Sequence, residues 1–180
     1  MSEEETTAYH EAGHAVAAFF LNLDIGRHGV TIISTEDALG SAHILRRFKE
    51  QLDVSVSPRN HLKIENYAIM SLAGNVAQQK FRPGSEYAGH QDLLDAADLL
   101  DYISGSTSET QARINLAQIK AEQLVDLHWK KITAVAEALL RHKTMNSAQV
   151  LRCFQSLDTT RVQKSKSKTR RKPRGVFIDH

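Results

Sequence analysis

Apolar residues near the start of the chain gather in "AYHEAGHAVAAFFL" (8–21), behind an acidic "SEEE", and their spacing predicts a helix over residues 3–21. Ser2 and Glu5 have capping-box spacing, and three glutamates fall where the helix dipole favours negative charge. "NLDIG" (22–26) ends this helix. The β-branched "GVTIIST" (29–35) predicts a strand, and "ALGSAHIL" (38–45) a second one after the turn at "EDALG". Ser57-Pro58 opens another helix as N-cap and first-turn proline. Its apolar residues Leu62, Ile69, Leu72, Ala73 and Val76 recur at helical spacing through "LAGNVAQQKF" (72–81). A loop, "RPGSEYAGH" (82–90), leads to a helix from about Asp92 to Ile103. After "SGSTSE" (104–109), residues 110–142 form one long helix or two in sequence, and Asn146-Ser147 caps a short last one, "AQVLRCF". From Asp158 onward apolar residues nearly vanish, and "QKSKSKTRRKPR" predicts disorder. The expected fold is mainly α with a small β-sheet (α+β), one domain over 1–157 followed by a basic, disordered tail over 158–180.

Composition agrees with this. The 180 residues are 41% hydrophobic and 24% charged, ordinary values for a globular protein of one domain. The net charge of +2 conceals an asymmetry: residues 161–180 hold eight Lys/Arg against one Asp (+7), leaving 15 basic and 20 acidic side chains (−5) elsewhere. Cys153 is the single cysteine, which excludes an intramolecular disulfide and any cysteine-built metal site, and suits a reducing cytoplasm. The longest strongly apolar run, "AVAAFFL" (15–21), is too short to cross a bilayer, and the acidic start is unlike a signal peptide. The expected location is therefore cytoplasmic, with no membrane segment.

The chemistry sits in "HEAGH". On a helix, His10 and His14 lie one turn apart, about 40° around the axis, so both imidazoles can point at one metal ion. Glu11 lies about 100° from His10; it misses direct ligation but reaches a metal-bound water. Those are the roles of a zinc hydrolase: Zn2+ acidifies its water and polarises the carbonyl, while the glutamate carries the proton. The rival reading is an amphipathic helix with two solvated histidines. Against it stand the Ala, Val and Phe around the motif and Gly13 in mid-helix, which costs about 1 kcal/mol relative to Ala and implies close approach by another segment.

A catalytic zinc takes three protein ligands and keeps a fourth position open. In the helix from Asp92, a wheel at about 100° per residue puts Asp92 inside the sector of Leu93, Ala96, Leu99, Leu100 and Ile103, with Asp95, Asp98 and Asp101 outside it. A carboxylate turned to the core needs a partner. From this helix alone, Asp92 as N-cap and Asp92 as ligand stand level, and His90 is a rival ligand. His28, His43, His61, His128, His142 and His180 lack paired spacing.

"TTAYHEAGHAVAAFF", "VTIISTEDALGSAHIL", "SLAGNVAQQKF" and "AGHQDLLDAADLL" follow one another as in the peptidase domain of FtsH-type ATP-dependent zinc metalloproteases. "ITAVAEALLRHKTMNSAQVLRCF" resembles that domain's closing helices, and the likeness spans roughly residues 6–155. It implies His10, His14 and Asp92 as zinc ligands and Glu11 as the base, and so favours Asp92 over His90. The family's Ala-Ala-Glu-Glu step appears here as "VAQQ", with Gln78 and Gln79 for both glutamates, so any carboxylate contact from that helix to the metal shell is lost. The one G-x₄-G spacing, Gly84 to Gly89, is followed by His-Gln and makes no phosphate loop.

Three functions from different classes follow. The first is a zinc-dependent endopeptidase acting on flexible or unfolded polypeptide, with the edge of the strand at 38–45, small at Gly40, Ser41 and Ala42, holding the substrate extended. The second is a weakly active or inactive relative that binds peptides or a protein partner. The third is sequence-independent attraction of nucleic acid by the basic tail, against which stands a merely solvated tail. The first is the expectation, and it leaves room for a separate ATPase or other protein partner and for a homo-oligomer.

Overall fold

The first helix begins where its cap dictates. The Ser2 side chain accepts from the Glu5 backbone N–H, and the Glu5 carboxylate accepts from the Ser2 N–H at 2.6 Å, which closes the box at the head of α1 (Glu3–Phe20). The computed structural model of the protein describes residues 2–23, 29–33, 57–85 and 90–155. The strand read at 38–45, with Gly40, Ser41 and Ala42, and the tail over 158–180 lie outside these residues. A two-residue strand β1 (Val30–Thr31) comes next, then α2 (Pro58–Phe81), capped by the Ser57 side chain with Pro58 in the first turn. α3 (His90–Tyr102) and α4 (Thr107–His142) follow, then β2 (Thr144–Met145) and a last helix, α5, over 147–155. The protein is mainly helical with one small antiparallel sheet.

α1 and α2 form the centre of the molecule, with α4 against both and α3 against α2 and α4. Their closeness has a local cause. A Cβ on Gly13 would lie 2.6 Å from the Ala73 carbonyl oxygen and 2.8 Å from the Ala77 Cβ, so only a hydrogen fits there and the two helix backbones nearly touch. The approach expected from Gly13 is made by α2. Ala8, Ala12 and Val16 of α1 are buried with Ile64, Ala68 and Ala73 of α2. Leu62, read as part of the apolar face of α2, is instead 57% exposed; the core takes Ile64 and Tyr67 in that turn. Beside the first turns of α1, Tyr9 stacks on Phe81 at 3.8 Å and on Trp129 at 5.5 Å between ring centroids, joining α1, α2 and α4 through one aromatic column.

The 36-residue α4 is two helical stretches joined across a kink at His128, whose φ of −108° and ψ of 15° leave the helical region, the second of the alternatives drawn from its sequence. The His128 ring lies flat on Phe20, 3.6 Å between centroids and 6° between planes. Lys143 ends the helix with φ at +62°, donates its N–H to the Leu139 carbonyl and pairs with Glu4 of α1. Just beyond it, β2 pairs with β1 in the register Val30–Met145 and Thr31–Thr144. This pairing was absent from the sequence-based expectation. Asn146 caps α5, its side chain accepting from the Gln149 N–H at 3.0 Å. No described helix is long and apolar enough to cross a membrane.

Candidate metal centre

The histidines of α1 and the aspartate of α3 meet at one point. His10 Nε2 and His14 Nε2 are 3.0 Å apart, and Asp92 Oδ2 lies 3.1 Å from the first and 3.4 Å from the second. The three side chains are 12%, 15% and 6% exposed. Among the described residues they form the one cluster of three His, Cys, Asp or Glu donors close enough to share a cation. His90 is exposed at the head of α3 and lies outside it. Asp92 sits in the first turn of α3 on the buried side with Ala96, Leu99 and Leu100, and Asp98 and Asp101 face solvent, as the wheel predicts; Asp95, also placed outside the apolar sector, is instead half-buried. Glu11 is half-buried beside His10, and its carboxylate acts electrostatically on His14.

The outer nitrogens of both rings are fixed by α2. His14 Nδ1 donates to the Met70 carbonyl at 2.9 Å, and His10 Nδ1 donates to Gln78 Oε1 at 3.0 Å. Because a carbonyl can only accept, the proton of each neutral ring is held on Nδ1, and each Nε2 turns a lone pair inward. Two such lone pairs at 3.0 Å, with a carboxylate against both, require a positive charge between them: a proton or a metal ion. Burial alone would depress His14, but the Asp92 carboxylate overrides it and lifts His14 to about 9. For Asp92 burial acts upward and is likewise overcome, by the His14 charge first, so the carboxyl is held well below the usual carboxylate range.

The donor set fits a tetrahedral divalent cation. Ligands at about 2.0–2.1 Å in that geometry stand roughly 3.3–3.4 Å apart. The separations here, 3.0 to 3.4 Å, fall close to that value without rearrangement. Two imidazole nitrogens and one carboxylate oxygen are donors that borderline cations accept, and three of them leave one position for a further ligand.

The sequence reading picked out neither Gly74 nor the hydrogen bond that Gln78 makes to His10. A Cβ on Gly74 would stand 2.3 Å from His14 Nε2 and 2.5 Å from Cε1, so this glycine makes the space in which the imidazole lies. Gln78, 2% exposed, carries no charge and keeps an acceptor on His10. A signal existed in the spacing: Met70, Gly74 and Gln78 recur every fourth residue, one face of α2.

Two imidazoles one helical turn apart, with a carboxylate from a separate helix, make a group of three donors that could hold a metal ion. The chain belongs to the family of FtsH-type ATP-dependent zinc metalloproteases. It is 31% identical over 185 aligned positions to the ATP-dependent zinc metalloprotease FtsH 2 of Methylacidiphilum infernorum, covering 83% of this chain and 29% of the relative. With the ATP-dependent zinc metalloprotease FtsH of Oenococcus oeni it shares 26% identity over 187 positions, 86% of this chain and 26% of the relative. For the FtsH of Acidimicrobium ferrooxidans the figures are 28% over 186 positions, 82% and 27%. The chain thus spans less than a third of the length of these relatives. No family model matches it.

Proposed function

We propose that this protein is a zinc-dependent endopeptidase that cuts flexible or unfolded polypeptide, with His10, His14 and Asp92 as metal ligands and Glu11 as the general base. The observation that carries this reading is the convergence of three donors at 3.0–3.4 Å with both imidazole Nδ1 atoms tied back. Kinship with proteins named zinc metalloproteases supports zinc as the cation. Bound there, zinc supplies a water of lowered pKa and polarises a carbonyl. Glu11 takes the proton from the attacking water and returns it to the amine nitrogen as the C–N bond breaks. The ligands are sheltered, so a scissile bond reaches them only on a chain that can be drawn out, which supports flexible polypeptide as the substrate class. The small residues Gly40, Ser41 and Ala42 remain our proposal for the strand that receives it.

The neutral residues at Gln78 and Gln79 favour a second reading, a peptide-binding module with little catalysis; an intact Glu11 speaks against it. One experiment tests both. Purified protein should contain one zinc per chain and cut unfolded casein, and Glu11→Gln should keep the zinc while losing about 10²–10⁴-fold in cleavage. Wild-type protein without zinc overturns the proposal. Zinc-loaded protein that cuts no unfolded substrate leaves the binding module.

A further inference from the structure

The pair Gln78-Gln79 connects the metal centre to the turn that follows α2. Gln78 accepts from His10 Nδ1 through Oε1 at 3.0 Å, and its amide nitrogen donates to Ser85 Oγ at 3.2 Å. Gln79 donates to the Ser85 carbonyl at 3.1 Å and accepts from the Gly84 N–H at 3.2 Å. A backbone N–H only donates and a carbonyl only accepts, so the orientation of Gln79 is fixed from both ends. Ser85 is thereby held against Gln78, which is itself almost fully buried.

The orientation of the Gln78 amide decides which nitrogen of His10 can bind a metal. With Oε1 toward the ring, Nδ1 carries the proton and Nε2 is a free donor. With the amide reversed, its N–H groups require Nδ1 as acceptor, the proton moves to Nε2, and the ligand is lost. We propose that Gln78 is a positioning residue: its Oε1 sets the His10 tautomer, and Ser85 is the hydrogen-bond partner at the other end of its amide. This rests on the reading of His10 as a metal ligand. A carboxylate at 78 would accept from His10 equally well and would take the Ser85 hydroxyl as a donor. What the amide adds is neutrality: the centre keeps a net charge one unit more positive than a glutamate would leave it, at the expense of a less basic ligand.

The test uses Gln78→Met, which has nearly the same length and no amide, and Gln78→Glu, which restores the acceptor. Ser85→Ala removes the buttress. In metal-free wild-type protein, nitrogen-15 NMR of the imidazoles should show His10 protonated on Nδ1. In Gln78→Met that preference should be lost and zinc affinity, by competition with a chelator, should fall by about 10–100-fold, the usual effect of removing a partner of a metal-bound histidine. Gln78→Glu should recover the tautomer and bind zinc to within about threefold of wild type or more tightly, and Ser85→Ala should fall between. Circular dichroism and melting confirm that the variants fold. An unchanged tautomer with unchanged affinity in Gln78→Met overturns the proposal, as does a Gln78→Glu protein no better than Gln78→Met, which would make the role one of packing. If wild-type protein binds no zinc, the metal reading fails, and the tautomer measurement still decides the part played by Gln78.

Discussion

Gly74→Ala should damage the metal centre far more than the fold. The added methyl would stand 2.3, 2.5 and 2.8 Å from Nε2, Cε1 and Cδ2 of His14, and ordinary contact begins at 3.4 Å. The ring must therefore retreat by about 1.1 Å, the difference between 3.4 and 2.3 Å. That exceeds the roughly 0.5 Å within which a working constellation has to be held. It also pulls Nδ1 from the Met70 carbonyl, now at 2.9 Å. The stability terms oppose one another: crowding a packed site costs about 1–3 kcal/mol, while Ala for Gly in mid-helix returns about 0.5–1 kcal/mol. A net loss of about 0–2.5 kcal/mol in the metal-free protein follows, together with a fall in zinc affinity on the order of 100-fold. Gly13→Ala supplies the contrast, since its methyl would meet the α2 backbone instead of a movable ring. It should lower the melting temperature with or without metal. The assay is chelator-competed zinc binding beside thermal melts of both variants. A Gly74→Ala protein that binds zinc as wild type does refutes the reasoning.

Two further outcomes check other parts of the structure. Asp92→Ala should lose zinc by on the order of 100-fold or more, while His90→Ala, altering an exposed residue, should leave it unchanged; elemental analysis of the purified variants distinguishes them, and the reverse result removes Asp92 from the ligand set. Burial first, and then Lys131, hold His128 below its ordinary 6.5, so in acid the unfolded chain takes up this proton more readily than the folded one. The stability that its neutral form contributes is complete above pH 6.5 and is lost as pH falls through the lower, folded value. His128→Phe keeps a ring on Phe20 and should flatten that acid limb in urea titrations; an identical limb would exclude His128 as its source.

What was legible in the sequence had a local cause. Ser2 with Glu5 announces a helix start because both partners lie in one turn, and the burial of Asp92 follows from the apolar residues sharing its face. Gly13 stood out because glycine is out of place in mid-helix. Gly74 is equally out of place, but nothing local says that the ring it accommodates is His14. The β1–β2 pairing joins residues far apart in sequence through strands of two residues each, too short to show any alternation. Leu62 misled because helical spacing alone does not tell a core face from the edge of one. The hydrogen bond from His10 to Gln78 spans 68 positions, and exchange of Glu for Gln signals a lost charge without showing that the acceptor survives.

The cluster is divided unequally between helices. Two donors ride on α1, with their outer nitrogens anchored to α2, while Asp92 arrives on α3. When α1 and α2 meet, two-thirds of the donor set is already assembled; α3 brings the remainder. A cation bound across all three would act as a cross-link between the packed pair α1 and α2 and the separate helix α3, and its binding free energy would be added to whatever else holds α3 in place. At a free concentration one hundred times the dissociation constant, that linkage contributes about 2.7 kcal/mol, comparable to a buried apolar side chain. If the cluster binds a cation, chelation should reach beyond chemistry: α3 would become the segment whose amide hydrogens exchange through local opening, and metal supply would set how often the molecule samples that opened form.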